Sequence, residues 1–514
     1  MPKAKRLWWQ AGTVSLMTLI SRLFGFVRDL VVAMVFGASA QLDVFVVVFR
    51  IPNLLRSLFA EGAFSQAFVP VLAAEHAKGD DASLGRLIAG MSGLLLVALL
   101  AVLLIVEIAA PGVVFLIAPG FRESPQHFAL ATYLLRIVFP YLLFISFVAF
   151  IGAVFNALNR FGLVAITPVI LNISMIACAL WLVPHMTIGV EALAIGVVLA
   201  GVLQLLWLFP FWVKSGWFRW PRFDYKHPLV RRVLSLMVPA LFGVSVAQIS
   251  LLVDNVFASY LPEGSISWLY YSDRLIFLPL GLIGVAMSTI VLPTLSKQHA
   301  KDNKEAYANT LSWALRVLLL LGLPAMVGLV VLAGPILSTL IQRGAFHAHD
   351  VIMASRSVMA LAIGLPAFMM IKVLASGFYA RQNMLGPAKV AALALLLNIA
   401  GNFVLMGPLR HAGLALSSSL AGWLNAGLLL FLVRKQFALS AKRKQTGFLW
   451  RVILANLIMG ALVYWLAGDI AHWVAWSEIK RMMHLGGIIG LAIVVYAGLL
   501  SGMGIRYHHL RSPN

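Results

Sequence analysis

The stretch "LIAGMSGLLLVALLAVLLIVEIAA" at residues 87–110 contains a single charged side chain, Glu107. As an α-helix it would be about 36 Å long, which exceeds the roughly 30 Å thickness of a bilayer's hydrocarbon core. Similar stretches recur, for example at residues 318–337 and 485–504. The whole chain is 61% hydrophobic and 11% charged, with a mean hydropathy of +0.95. We therefore predict an all-α polytopic membrane protein with about 14 transmembrane helices and no room for a soluble domain.

The net charge of +21 lies mainly in connectors between the apolar stretches. One cluster is Lys214, Arg219, Arg222, Lys226, Arg231 and Arg232; a second is Arg434, Lys435, Lys442, Arg443, Lys444 and Arg451. If the stretches alternate from a cytoplasmic start, both clusters fall on the cytoplasmic side, whereas the opposite connectors nearly lack Lys and Arg. The positive-inside rule then predicts that both termini are cytoplasmic. Basic clusters beside anionic lipid indicate a membrane surface, so we expect no nucleic-acid partner.

An internal repeat organises the chain. "VPVLAAEHAKGD" at residues 69–80 matches "LPTLSKQHAKDN" at residues 292–303, so that Pro70 aligns with Pro293 at an offset of 223. Further along, Asn172 in "ILNIS" aligns with Asn398 in "LLNIA". A parallel repeat predicts two six-helix lobes around a central cavity near the membrane midplane. We predict an N-terminal lobe at 1–222, a C-terminal lobe at 223–440, and two additional helices within 441–514.

Charged residues interrupt the first two apolar stretches. They are Arg22, Arg28 and Asp29 in the first, and Asp43, Arg50, Arg56 and Glu61 in the second. An ionisable residue in mid-membrane costs roughly 2.5–3.5 kcal/mol on insertion scales, and it usually faces a wet cavity or a partner. The alternative is that these side chains snorkel to the interface or form ion pairs that hold helices together. This alternative applies most to Asp29, Arg50 and Glu61. Because so many arginines fall within one helical hairpin, we favour a basic cavity.

The second half of the repeat contributes a cation at a similar place. Arg274 lies in "WLYYSDRLIFLPLG", at the repeat position of the "FRIPNLLR" segment. Guanidinium groups stay protonated and bind phosphate or carboxylate through paired, charge-assisted hydrogen bonds. The predicted ligand is therefore an anion.

Three side chains with oxygen donors lie in otherwise apolar stretches of the second half: Asp254, Asn398 and Asn402. Hard cations prefer such oxygens, so one interpretation is a sodium-like site. The equally open alternative is that the asparagines cross-link helices through hydrogen bonds. Apart from sodium, we expect no cofactor.

Catalytic motifs are missing from the sequence. The dipeptide Gly-Lys does not occur, which excludes a P-loop for ATP, and there is no HExxH motif. We therefore predict a transporter and not an enzyme. Two rival functions are a drug or cation exporter, which would favour intramembrane acids over bases, and a structural membrane scaffold, which would need no charged cavity.

Several segments resemble a known family. "SRLFGFVRDLVVAMVFGAS", "DVFVVVFRIPNLLRSLFAEGAFSQAFVPVL", "SWLYYSDRL" and "GFYARQN" are similar to the lipid II flippases called MurJ or MviN, of the multidrug, oligosaccharidyl-lipid and polysaccharide exporter superfamily. The resemblance covers essentially the whole chain, and "NLLRSLFAEGAFSQAFVP" is its most specific part. It implies 14 helices, with the last two forming a lipid-facing groove.

The resemblance also implies a function and a location. The substrate would be undecaprenyl-pyrophosphate-linked disaccharide-pentapeptide, moved across the bacterial inner membrane from the cytoplasmic to the periplasmic leaflet for peptidoglycan synthesis. We expect a monomer, with proteins of peptidoglycan synthesis or division as further partners. Residues that match the family's essential cavity positions are Arg22, Arg28, Asp43, Arg56 and Arg274, whereas Ser21 and Glu61 match less critical ones. Asp254, Asn398 and Asn402 resemble the sodium site of some members.

Overall fold

The computed structural model describes the backbone of residues 3–57, 62, 64–158, 162–437 and 443–505, and within these ranges it contains helices and no strands. The helices up to residue 258 are α1 (Lys3–Phe36), α2 (Ala40–Leu55), α3 (Phe64–Lys78), α4 (Asp81–Ile117), α5 (Pro125–Val138), α6 (Tyr141–Ala157), α7 (Gly162–Ala165), α8 (Thr167–Trp181), α9 (Glu191–Lys214) and α10 (Pro228–Ala258). The helices after that residue are α11 (Ser265–Pro279), α12 (Ala286–Ala300), α13 (Lys304–Val331), α14 (Ala333–Leu340), α15 (Ala348–Tyr379), α16 (Leu385–Leu409), α17 (His411–Phe437), α18 (Arg443–Ala467), α19 (Ile470–Ala475) and α20 (Glu478–Gly502).

Within the described ranges, 11 helical segments are long and apolar enough to cross a membrane. Three of them join neighbouring helices: α5 with α6, α7 with α8, and α11 with α12. The segments α1, α2 with α3, and α10 are not among the 11. The first two carry the charges that interrupt the early apolar stretches. The prediction of an all-α membrane protein is confirmed, while the count of 14 helices stays a prediction.

The chain divides into two compact units, Met1–Glu263 and Gly264–Asn514. This division differs from the lobe boundary near residue 222 that the repeat predicts, and the lobe boundary stays a prediction. The physical reason is the packing of α10, which lies against α3 and α4 of the first unit. The end of that unit is also held by a hydrogen bond from the backbone N–H of Gly120 to Ser259 Oγ, at 3.0 Å.

The internal repeat is visible in how two helices begin. Asp80 caps α4 by accepting a hydrogen bond from the backbone N–H of Ser83 at 2.9 Å. Asn303, at the equivalent position, caps α13 by accepting from the N–H of Ala306, also at 2.9 Å. The residues just before the two caps, Gly79 and Asp302, both have positive φ angles of 75° and 47°. The two halves therefore share a turn as well as a sequence pattern.

A second shared feature is a wide helical turn. Residues 280–285 form a π-helix between α11 and α12. With the offset of 223, these residues correspond to 57–62, and the described residues of that stretch, Ser57 and Gly62, are also π-helical. π-Turns are rare and are often found at functional sites. Pro52 lies inside α2, which ends at Leu55 and continues directly into this π-helical turn.

Each unit has its own apolar interior. In the first, α2 buries five consecutive residues from Val44 to Val48, and Phe68 of α3 stacks on Phe150 of α6 with ring centroids 5.4 Å apart. In the second, α15 is the central helix and packs against α11, α13 and α17. The last long helices, α18 and α20, pack on α13 and α14 of the second unit.

Candidate functional site

The geometry around Arg28 is the best-defined feature among the predicted site residues. Arg28 is only 8% exposed. Its Nε and Nη2 atoms donate to Asp29 Oδ1 at 3.0 and 2.6 Å, and its Nη1 donates to Oδ1 of Asn172 on α8 at 3.0 Å. Asn172 Nδ2 in turn donates to the backbone carbonyl of Ser21 at 3.2 Å. The Asn172 side chain thus connects α8 to α1 at two places, the Arg28 guanidinium and the Ser21 carbonyl.

This network bears on both interpretations of the intramembrane charges. A buried ion pair with good geometry offsets the cost of removing both charges from water. In this conformation the Arg28 ion pair lies within α1, and the contact that joins Arg28 to α8 is the hydrogen bond to the neutral Asn172. A guanidinium has five N–H donors, so the contacts with Asp29 and Asn172 also fix its orientation. That Arg28 binds the substrate stays a prediction.

Arg22 lies about 9 Å along the helix axis from Arg28 and has a different environment. Arg22 is exposed, whereas Ser21 beside it is half-buried. α1 therefore presents one exposed cation and holds one buried cation within two helical turns. An exposed guanidinium in an apolar helix is the kind of group that an anionic ligand can reach.

The predicted residues of the second apolar stretch are separated along α2. Asp43 is buried in the first turn, where the helix dipole favours negative charge, and Arg56 is half-buried at the opposite end. The two lie about 20 Å apart along the axis, so α2 does not bring them together. Arg50 donates a hydrogen bond from Nη1 to Oδ1 of the buried Asn255 on α10. The prediction for Glu61 falls outside the described residues.

Arg274 lies on α11 of the second unit, and its side chain is exposed. Its guanidinium carbon is 4.7 Å from the centroid of the Tyr270 ring, and Nη2 donates to Tyr270 Oη at 3.2 Å. Tyr270 lies one turn earlier on the same helix, so the cation–π contact and the hydrogen bond restrict the position of the Arg274 side chain.

The three predicted sodium ligands do not lie in the same compact unit. Asp254 belongs to the first unit, and Asn398 and Asn402 are buried on α16 of the second. Asn398 Oδ1 accepts a hydrogen bond from Ser417 Oγ on α17 at 2.9 Å. Among the described residues no cluster of three or more His, Cys, Asp or Glu could hold a metal. The contact to Ser417 matches the alternative in which asparagines cross-link helices, and sodium binding stays a prediction.

Two amides of the first unit were not predicted as site residues. Asn172 was used only to align the repeat, and Asn255 follows the more conspicuous Asp254. Each accepts a hydrogen bond from an intramembrane arginine of the first unit, Arg28 and Arg50 respectively. A search of apolar helices for every amide that could satisfy a guanidinium would have included both. Their partners could not be assigned without the helix packing.

Comparisons with known proteins find relatives and solved structures that match most of the chain. A probable lipid II flippase MurJ of Vibrio cholerae is 44% identical, over 99% of this chain and 98% of the relative. A solved structure of the lipid II flippase MurJ in an inward closed conformation matches with a TM-score of 0.81 and 28% identity, over 95% of this chain and 98% of that one. An inward-facing multidrug transporter of the MATE family shares the fold at 13% identity, with a TM-score of 0.66, over 84% of this chain and 99% of that one.

The family comparison covers most of the chain. The model of the family described as "Lipid II flippase MurJ" matches residues 32–484. The match includes α2, α11 and the helices between them, and it therefore contains Asp43, Arg56 and Arg274. This chain belongs to the lipid II flippase MurJ family.

Proposed function

We propose that this chain moves lipid II, an undecaprenyl-pyrophosphate-linked disaccharide-pentapeptide, from the cytoplasmic to the periplasmic leaflet of the bacterial inner membrane. The observation that supports the substrate most directly is a set of cations within apolar helices in a member of this family. The substrate is an anion with a long apolar tail. Guanidinium groups are suited to its pyrophosphate, because they donate paired hydrogen bonds to oxygen anions and remain charged.

The three arginines have different tasks in this proposal. Arg22 and Arg274 are exposed in this structure and make the first contacts with the pyrophosphate. Arg28 is held by Asp29 and Asn172, and joins them after the helices rearrange. Asn172 acts as a positioning residue, since it connects the Arg28 guanidinium to the backbone of α1. The ion pair also lowers the cost of keeping a cation within the membrane while no substrate is bound.

The transport step is alternating access. The two lobes of the repeat expose the bound headgroup first to one leaflet and then to the other, while the polyprenyl tail stays in lipid. A membrane potential that is negative inside favours outward movement of an anion by about 2.3 kcal/mol per charge per 100 mV. An ion gradient would return the empty carrier to its starting conformation. Sodium at Asp254, Asn398 and Asn402 is one candidate for this ion.

Orientation and partners follow from the charge distribution and the substrate. The basic connectors favour a cytoplasmic position for both termini. We expect the chain to act as a monomer in a phospholipid bilayer, with proteins of peptidoglycan synthesis or division as partners. An exporter of another lipid-linked oligosaccharide or of a drug on this fold is not favoured, because no observation on the described residues supports it over lipid II.

Lipid II binding tests the proposal. The purified chain in nanodiscs should bind lipid II, and Arg274→Ala should weaken binding by roughly tenfold or more, because a hydrogen bond to a charged group contributes about 1.5–3 kcal/mol. Arg274→Lys should weaken it less, since the charge remains. The matched control is Lys389→Ala, which removes a cation of the second unit outside the predicted site. Equal affinities for wild type and Arg274→Ala would contradict the role of this residue.

A further inference from the structure

The connector between α9 and α10 has a defined structure although it contains no helix or strand between residues 217 and 224. The backbone N–H of Arg222 donates to the carbonyl of Ala89 on α4 at 2.9 Å. Phe218 lies against Trp212 of α9, with ring centroids 5.1 Å apart, and Trp217 meets His76 of α3 edge to face at 5.7 Å. This segment is thus fixed to three helices of the first unit.

Glycines on α4 allow this close approach. A Cβ at Gly93 would collide with the backbone of Arg222, and a Cβ at Gly85 would lie 2.9 Å from Arg219 Nε. A Cβ at Gly90 would likewise lie 2.9 Å from a side-chain carbon of Val230, just after the connector. The first turns of α4 therefore form the surface on which the connector packs. Any larger side chain at Gly93 would prevent this packing.

The outward side of the connector combines exposed aromatic rings with cations. Trp220, Phe223 and Tyr225 are 78%, 57% and 47% exposed. The cations Arg219, Arg222, Lys226, Arg231 and Arg232 are exposed beside them, against one acid, Asp224. Aromatic rings with cations are typical of a surface that lies at the headgroup level of a bilayer, where rings enter the boundary and cations meet anionic lipid.

The length of α4 gives the depth of the connector. From Ala89, which bonds to Arg222, to the end of the helix at Ile117 the axis runs about 42 Å. A bilayer including its headgroups is roughly 40–45 Å thick. The exposed apolar residues of α4, from Val97 to Leu116, also begin one turn after Gly93. Both observations place the connector in the headgroup layer, just outside the hydrocarbon.

We infer that residues 217–226 are a prefolded membrane-surface anchor, which binds the anionic headgroups of phospholipids and inserts Trp220, Phe223 and Tyr225 at the boundary. The charge selects an anionic leaflet, and the rings set the depth. Because the segment is already fixed to α4, little conformational freedom is lost on binding. This inference is independent of the transported substrate.

The test uses the full chain with one nitroxide label. The chain has a single cysteine, Cys178, which is buried on α8, so Cys178→Ala together with Phe223→Cys places the label on the connector. The protein is reconstituted in vesicles of phosphatidylcholine alone, or of phosphatidylcholine with phosphatidylglycerol. Power saturation with oxygen, which enters lipid, and with a water-soluble nickel complex then reports the depth of the label. We expect lipid exposure in the phosphatidylglycerol vesicles and a shallower position without it.

Charge variants show whether anionic lipid is responsible. Replacing Arg222, Lys226 and Arg231 with Gln should reduce the lipid-inserted fraction, by about fivefold for each cation lost near an anionic surface. The matched control replaces Lys297, Lys301 and Lys304, three exposed cations around the junction of α12 and α13, and should leave the label's depth unchanged. A label that stays water-exposed in both lipids would overturn the inference and point to a protein partner for this surface. An inserted fraction insensitive to the neutralised cations would overturn it as well.

A variant of the α4 surface tests whether the connector is prefolded. Gly93→Ala should displace the connector and raise nickel accessibility at position 223. An unchanged label position in folded Gly93→Ala would contradict a prefolded anchor. If this variant does not fold, the exposed charge variants still decide the inference.

Discussion

At the scale of the residue, the main result is that two arginines of α1 have opposite environments. Arg22 is exposed, and Arg28 is buried against Asp29 and Asn172. The sequence predicts that both are intramembrane cations, but it does not show which of them is buried against other side chains. The difference arises from α8, whose Asn172 is distant along the chain and reaches only the second of them. A substitution at Asn172 should therefore affect Arg28 without changing any charge.

Asn172→Ala should destabilise the fold by about 1–3 kcal/mol, because the buried Arg28 Nη1 loses its acceptor and the Ser21 carbonyl loses a donor. It should also weaken lipid II binding, since the Arg28 guanidinium loses its orientation. Thermal unfolding and lipid II affinity are measured together. The control is Gln204→Ala, which removes another buried amide of the first unit, one that joins α9 to the Thr167 carbonyl at 2.6 Å. If both variants bind lipid II equally, Asn172 has only a structural role.

At the scale of the element, the repeat extends to the caps of α4 and α13. Asp80 and Asn303 occupy equivalent positions and accept hydrogen bonds from equivalent backbone N–H groups. The alignment of "EHAKGD" with "QHAKDN" contains both residues, so the cap was present in the sequence. The π-helical turn was not, because an alignment offset carries no information on the hydrogen-bond pattern inside a helix.

Asp80→Ala and Asn303→Ala should each lower the free energy of unfolding by about 1 kcal/mol, the usual effect of losing an N-cap. The corresponding glycine variants should lose only a few tenths, because glycine tolerates the cap conformation. Unfolding midpoints of the four variants, measured in one detergent, test this. Alanine variants as stable as wild type would show that the side-chain bond does not stabilise these helix starts.

A buried cation is one of the contacts that join the C-terminal helices to α14. Arg481 of α20 donates from Nη1 to the Ser338 carbonyl at 2.8 Å and from Nη2 to the Val474 carbonyl at 2.6 Å. Nearby, Arg343 forms a more exposed ion pair with Glu478, at 3.1 Å. The sequence predicted the two extra helices but not this attachment, because nothing in a single sequence shows which carbonyls a distant arginine meets.

Arg481→Gln should destabilise the protein by about 1–3 kcal/mol, since two carbonyls lose a charged donor in a buried place. Arg343→Gln is the matched control and should cost less than about 1 kcal/mol, as exposed ion pairs generally do. Proteolysis between α17 and α18, followed by size exclusion, shows whether α18–α20 stay bound. Equal behaviour of the two variants would contradict a larger contribution from Arg481 than from Arg343.

At the scale of the whole molecule, composition and hydropathy were sufficient for the membrane class, and the family resemblance was sufficient for the fold. The boundary of the compact units was not predictable, because the repeat assigns α10 to the second lobe while its packing places it with α3 and α4. The candidate site was predicted as a list of cations. Which of them are exposed, and which are held, depends on helix contacts.

The central claim is that exposed and releasable arginines in these helices carry an anionic lipid-linked substrate across the membrane. The test must separate transport from folding. Removing Arg28 alone would break a buried ion pair, at a cost of about 3–5 kcal/mol. The double variant Arg28→Ala with Asp29→Asn removes both charges and avoids this effect.

The most direct measurement is periplasmic exposure of lipid II in cells depleted of their own flippase. Wild type, Arg274→Ala, the Arg28→Ala/Asp29→Asn double variant and the Lys389→Ala control are expressed at equal membrane levels. We expect that wild type and Lys389→Ala restore exposure of lipid II, and that the two arginine variants do not. Full restoration by both arginine variants, or none by well-inserted wild type, would contradict it.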